Sequence, residues 1–336
     1  MKLRVPSDRL PSDRDLTRWI KRLALILVVG VIAFTAFYAI DRWRPATPQI
    51  VDQRLATLEQ TVRENPTDIA SRGQLADTYV AKGRFLDAID QYNQIIATGK
   101  AVEQATLGRA SAYMGLNDLD KAGADFKAVV DTAIGGEMAN SDPKLATAYF
   151  GLGNVAMKQS RPADAIVWLE KALSITRSDA DAMYLIGQAF TQTGEFEKAV
   201  ATLRAASAFV PVGWAEPYLA LADAYAKSGN ASEAEWAGAM ADLSNGKSAQ
   251  AEQRLKAILK SPAALDANVG LAILYEFKGD TTSAATYYRA ALAIDPTNSS
   301  ARLGMGRVAP VVPAATGAPA TAAPATTAPS AGSSKP

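Results

Sequence analysis

Cysteine and histidine are both absent from the 336 residues. The chain therefore has no thiolate nucleophile, no disulfide, and no imidazole to hold zinc or move protons near neutral pH. An enzyme built on it would have to run on carboxylates, hydroxyls or lysine. The carboxylates are spread widely, the glycines follow no strand-like run, and no GxxxxGK[ST] phosphate loop occurs. No catalytic residue, metal site, cofactor or small-molecule substrate is expected. Charge of one sign is also lacking, with 35 Lys and Arg against 34 Asp and Glu. A nucleic-acid binder would show a basic stripe on its folded part, and none is visible, so nucleic acid is not an expected partner.

A long apolar run is present once. Residues 23–40 read LALILVVGVIAFTAFYAI, with Lys21 and Arg22 before them and Asp41 and Arg42 after. That run approaches the ~20 residues of a transmembrane helix, and Trp19 and Trp43 sit where interfacial aromatics belong. Seven Lys and Arg precede the run, which by the positive-inside bias predicts residues 1–22 in the cytoplasm and the rest outside. The expectation is a single-pass protein of the cytoplasmic membrane, anchored by residues 23–40. A cleaved signal peptide is disfavoured because FYAIDRW offers no small-x-small exit, and a buried core helix because the run has no polar face.

The remainder repeats. QLADTYVAKGR (74–84), GRASAYMGLND (108–118), GLGNVAMKQSR (151–161), LIGQAFTQTGE (185–195), ALADAYAKSGN (220–230) and GLAILYEFKGD (270–280) align on a small third residue. That column holds Ala76, Ala110, Gly153, Gly187, Ala222 and Ala272. Three residues on stand Tyr79, Tyr113, Phe190, Tyr225 and Tyr275, with Ala156 the exception, and four further on come Gly83, Asn117, Ser160, Gly194, Gly229 and Gly279. Twelve residues beyond the small residue lies another, Ala88, Ala122, Ala165, Ala199, Ala234 and Ala284. Four later Tyr92, Phe126, Leu169, Leu203 and Tyr288 continue that face, with Gly238 the departure. Small residues let two antiparallel helices approach, aromatics fill the groove between them, and a turn former ends the first helix. One such hairpin cannot bury its apolar face alone, so hairpins must stack.

This pattern resembles the tetratricopeptide repeat (TPR) family, a ~34-residue helix-turn-helix repeat. The resemblance spans about 67–297 and implies an all-α solenoid of about six hairpins, near 69–102, 103–136, 146–179, 180–213, 215–248 and 265–298. The expected organisation is a segment 1–22, a membrane helix 23–40, a linker and capping helix 41–66, a solenoid 67–308 and a tail 309–336. Two intervals between the second-helix alanines depart from the ~34-residue repeat, 43 residues around TAIGGEMANSDP (132–143) and 50 around NGKSAQAEQRLKAILKSP (245–262). The first predicts a longer connection. In the second, residues 231–260 form either a distorted extra repeat or one extra helix. The tail, rich in Ala, Pro and Thr, has too little bulky apolar surface to offset its ordering entropy and reads as disordered.

In this family the first helix of each hairpin lines a concave groove, and the resemblance implies that the second, fifth, ninth, twelfth and thirteenth repeat columns face it. Those columns place Phe150, Asn154 and Lys158, then Tyr184, Gln188 and Gln192, in a groove for peptides. Amides and aromatics suit an extended backbone. Glu216, Asp223, Asp266 and Glu276 would make the far end of that groove acidic. The family's Lys/Asn/Arg carboxylate clamp is missing, since its columns hold Gly73, Asp77, Leu107 and Ser111. The expected function is a membrane-anchored scaffold that binds other proteins or peptides. The alternative is an assembly factor holding an unfolded client, because LEQTVRENPTD leading into LADTYVAKGRF is similar to the TPR proteins of cytochrome c maturation.

Overall fold

The computed structural model describes residues 50–308, apart from 137–138 and 210–212. Fifteen α-helices, one short 3-10 turn and no strand occur among the described residues. The chain divides after Ser71 into two compact units.

In the first unit α1 (Ile50–Glu64) carries Asp52 in its first turn and Arg63 in its last, each on the side its helix dipole favours. Leu58 and Val62, one turn apart, are buried. The chain then turns at Asn65-Pro66 into Asp68, whose carboxylate accepts from the backbone of Ala70 at 3.0 Å and from the Ser71 hydroxyl at 2.6 Å. Asp68 therefore caps α2 (Ile69–Ala81), and the bonds from Ser71 hold its pKa below the ordinary value.

The second unit contains the rest of α2 and then α3 (Phe85–Ala97), α4 (Val102–Gly115), α5 (Leu119–Ala133), α6 (Pro143–Lys158), α7 (Pro162–Ile175), α8 (Ala180–Thr193) and α9 (Phe196–Phe209). It continues with α10 (Glu216–Lys227), α11 (Ala231–Ser244), α12 (Ser248–Ala257), α13 (Ala264–Phe277), α14 (Thr281–Ile294) and α15 (Ser299–Val308). Four of these helices start on an aspartate. Asp118, Asp142, Asp179 and Asp280 each accept a backbone N–H of the first turn. Such caps are worth about 1 kcal/mol apiece.

Every hairpin turn has one geometry. Gly83, Asn117, Ser160, Gly194, Gly229 and Gly279 all have positive φ. The residue after each donates its N–H back to the third residue past the small column, as in Arg84 to Tyr79 at 2.8 Å and Asp280 to Tyr275 at 2.9 Å. This is the left-handed helix end with its backward bond, which satisfies carbonyls the helix leaves open. Asn117 and Ser160 adopt it at φ 58° and 57°, where a side chain costs more than glycine does.

The stretch 231–260 adopts the same geometry out of step. Gly246 has φ 76°, and Lys247 donates to Asp242 at 2.9 Å. Counting back, the small residue is Ala239. Counting on, Ala251 and Leu255 take the second-helix columns, and both are fully buried. So α11 is the second helix of the α10–α11 hairpin and also the first helix of α11–α12. Packing between neighbouring repeats shows the exchange. First helices contact in the order α4 with α6, α6 with α8 and α8 with α10, then α11 with α13 and α13 with α15. One helix shifts the register.

The long connection expected at 132–143 consists of the end of α5, a 3-10 turn at Ala139–Ser141 and the cap Asp142. Lys144, just inside α6, pairs with Glu103 of α4.

The single-pass localisation at a cytoplasmic membrane is corrected by the structure. Among the described residues no helix is long and apolar enough to cross a membrane. The longest, α6, has 16 residues and carries Lys144 and Lys158. These helices bury an apolar face against neighbours instead of being apolar all round. The run 23–40 lies outside the described residues, as do 1–22 and the tail 309–336.

Candidate peptide groove

Between α8 and α10 the row of first helices opens into a cavity of about 330 Å³. Tyr184, Gln188 and Gln192 come from α8, one turn apart each, and Glu216, Leu219 and Asp223 from α10. Their positions follow from helix spacing: residues at i, i+4 and i+8 share a face, as do residues at i, i+3 and i+7. Five of the sequence-derived residues are thereby brought together. Leu219 joins them from the fifth column of its repeat, and Trp214 packs on Tyr184 from outside the repeat columns. Trp214 lies in the connection before α10, where no column rule applies.

The Tyr184 ring meets Trp214 edge-on, with centroids 5.7 Å apart. Its hydroxyl accepts from the Gln188 amide at 2.9 Å. Burial, and then the Glu216 carboxylate, push the Tyr184 pKa up, so its proton is held across the physiological range. The Thr191 hydroxyl is spent on the Gly187 carbonyl at 2.9 Å. Leu219 is 55% exposed, a bulky apolar side chain at the rim. Asp223 is paired with Lys227 at 2.8 Å, one turn along α10. The cavity thus offers an aromatic wall, an exposed leucine, two amides and a carboxylate at one end.

Phe150, Asn154 and Lys158 stand on α6, next in the row, and do not contribute to this cavity. Phe150 is half-buried between two clusters of the core, Asn154 is half-buried and Lys158 is exposed. A further cavity of about 410 Å³ lies nearer α2, lined by Asp77, Tyr92, Leu107, Ser111 and Thr147 among others. There Asp77 accepts from the Tyr92 hydroxyl at 2.5 Å, and burial together with that carboxylate raises the Tyr92 pKa.

The four acids do not gather at one end. Glu216 and Asp223 line the α8–α10 cavity, whereas Asp266 is bound by Arg204 at 2.5 Å and Glu276 by Arg307 at 2.8 Å. Burial would lower the Arg204 pKa, but the bonds to Asp266 and Tyr225 raise it instead. Burial opposes ionisation of Glu276, and the bonds from Arg307 and Tyr288 overcome it, leaving its pKa below the ordinary value. No group of three or more metal-ligating side chains occurs among the described residues.

Stacked antiparallel hairpins with a uniform turn and a groove along their first helices define a helical-repeat scaffold. Two family models, both described as Tetratricopeptide repeat, match residues 156–212 and residues 74–137 with 237–299. Together they cover more than half of the chain, which belongs to the tetratricopeptide-repeat proteins, a family of protein-interaction scaffolds. The match over 237–299 begins inside α11, where the register shifts.

Among curated proteins, the chain is 28% identical over 102 residues to Protein CTR9 homolog of Arabidopsis thaliana. That match covers 30% of this chain and 9% of the plant protein. Several solved structures are similar to parts of the chain. YrrB, a TPR protein with an unusual peptide-binding site, is 18% identical and covers 59% of this chain and 97% of its own, with a TM-score of 0.44. MamA from Desulfovibrio magneticus RS-1 is 18% identical, with 54% and 97% covered and a TM-score of 0.46. PilW, a type IV pilus biogenesis factor, is 19% identical, with 70% and 98% covered and a TM-score of 0.45.

Proposed function

We propose that the groove along α4, α6, α8 and α10 binds an extended segment of a partner protein, and that the α8–α10 cavity reads one apolar residue beside a basic one. The observation that carries this reading is the cavity itself. Tyr184 and Leu219 supply an apolar contact, Gln188 and Gln192 supply amides for a main chain, and Glu216, exposed at the end, supplies a charge for Lys or Arg. Phe150, Asn154 and Lys158 continue the groove along α6. Binding would raise the local concentration of the partner and involve no chemical step.

The test is an array of extended peptides probed with the full chain and with the Glu216→Lys variant. The wild type should prefer peptides with a basic residue next to an aliphatic one, and the variant should lose that preference by about tenfold. Identical selectivity of the two proteins would overturn the reading. An assembly factor that holds an unfolded client would use the same groove. It would show in the same array as retention of apolar peptides whatever their charge.

A further inference from the structure

The exchange of helix roles at α11 creates a second groove. From α11 onward the first helices are α11, α13 and α15, so their open side lies across the hairpins from the α8–α10 cavity. A cavity of about 320 Å³ is found there, walled by Arg204 of α9, Trp236 and Met240 of α11, Val269 and Ile273 of α13, and Leu303 of α15. The charged groups on its walls are already paired. Arg204 donates to Asp266 at 2.5 Å and to the Tyr225 hydroxyl at 2.6 Å, and stacks over the Trp236 ring at 4.6 Å. Arg307 donates to Glu276 at 2.8 Å.

Apart from Ser300, what remains open is aliphatic. Leu303 is 68% exposed, and Val269 and Ile273 are half-buried beside the same cavity. Trp236 is 8% exposed, lines the cavity, and its indole N–H has no acceptor among the described residues. The last first-helix of a repeat array needs a cover for its apolar side.

We infer that this second groove is covered by the chain's own segment Pro310–Pro313, in the same molecule. That segment reads PVVP, and Val311 and Val312 are the only bulky apolar residues between 309 and 336. It begins two residues after Val308, where α15 ends, and α15 is itself a wall of the cavity. Three extended residues reach about 10 Å, one helix-to-helix spacing. Proline-flanked segments lose little entropy when held extended. The two valines would meet Leu303, Ile273 and Val269.

The absence of cysteine makes a direct test available. Val269→Cys and Val311→Cys are placed together in the full chain, and disulfide formation under mild oxidation is followed at low protein concentration. The comparison protein carries the same two cysteines with Val312→Asp, which keeps the tether unchanged and removes apolar contact. Val312 follows the last residue of α15, Val308, by four positions in sequence, and circular dichroism checks that the variant leaves the repeats intact. The expected result is an intramolecular bond that forms about tenfold more slowly with Val312→Asp, as the loss of one buried valine implies. Equal rates in the two proteins would show a tethered segment without a site. A bond found only between two molecules would assign the groove to a second copy. Either result overturns the inference, and neither bears on the α8–α10 groove.

Discussion

Tyr288 packs against Gly304: the ring is fully buried, and a Cβ on the glycine would overlap its tip. The same relation joins Tyr92 to Gly108 and Phe126 to Gly151, so an aromatic at the end of one hairpin is matched by a glycine in the first helix of the next. Where the column holds leucine the glycine moves into its own hairpin. A Cβ on Gly153 would lie 2.6 Å from Leu169, and one on Gly187 would lie 2.5 Å from Leu203. Side-chain volume is conserved across the contact while its owner changes.

Gly304→Ala should therefore cost about 1–3 kcal/mol by overpacking, even though alanine is the better helix former. The loss should fall on α15 and appear as faster amide exchange there, before global melting shifts. Tyr288→Leu in the same chain should recover most of it, since leucine vacates the space. Unchanged exchange in Gly304→Ala would refute the contact.

Leu203→Ala should cost about 2–5 kcal/mol, because it empties a fully buried site. Gly187→Ala should cost about 1–3 kcal/mol for the opposite reason. The double variant should be less damaging than the sum, by about 1 kcal/mol or more, because the new methyl fills part of the hole. Urea titration of the three proteins measures the coupling.

Arg254 occupies the space that Gly238 leaves, and so explains why glycine stands in an otherwise bulky column. It holds Glu235 at 2.6 Å and Asp242 at 2.7 Å, fastening α12 to α11. The Glu235 hydrogen bond raises the Arg254 pKa, and in return the Glu235 pKa falls. Arg254→Ala leaves Asp242, which is buried, with only Lys247 at 3.8 Å, and should cost about 2–3 kcal/mol. Asp242→Ala in addition should return part of that. Thermal melts distinguish the single from the double variant.

Glu252 gathers Lys256 and Lys278, each at 2.6 Å, and the Tyr275 hydroxyl at 2.7 Å. These bonds lower its pKa to about 2 from an ordinary 4.5. A depressed carboxylate contributes stability that is complete above its unfolded pKa and is lost as pH falls through the folded one. The link between α12, α13 and the turn at Lys278 should thus weaken between about pH 4.5 and pH 2. Solvent screening keeps the effect to about 1 kcal/mol. Glu252→Gln should flatten that part of the acid-stability curve while leaving neutral stability about 1 kcal/mol lower. An unaltered slope between pH 4.5 and pH 2 would contradict the assignment.

Much of this architecture was legible because hairpin packing repeats at fixed offsets. Ala76, Gly83 and Ala88 announce a first helix, its turn and a second helix, and the same offsets mark five more hairpins. The shift at α11 was harder to read, since its aromatic column holds Asp242 and its bulky neighbour column holds Gly238. An ion-paired guanidinium fills there what rings fill elsewhere, and a search for apolar periodicity passes over it. The gathering of Tyr184, Gln188 and Gln192 on one cavity wall was legible by column. The fate of the acids was not, because Arg204 and Asp266 pair across 62 positions of sequence and Arg307 and Glu276 across 31.

The odd helix count at α11 sets a rule of parity for this scaffold. Adding or removing a whole hairpin on either side would lengthen or shorten one groove and leave every side chain on its present side. Removing a single helix at the shift would swap sidedness for all that follows, turning Asp266, Ile273 and Leu303 toward the side of Tyr184. Length can therefore drift in pairs with little consequence, whereas the separation of the two cavities hangs on one helix.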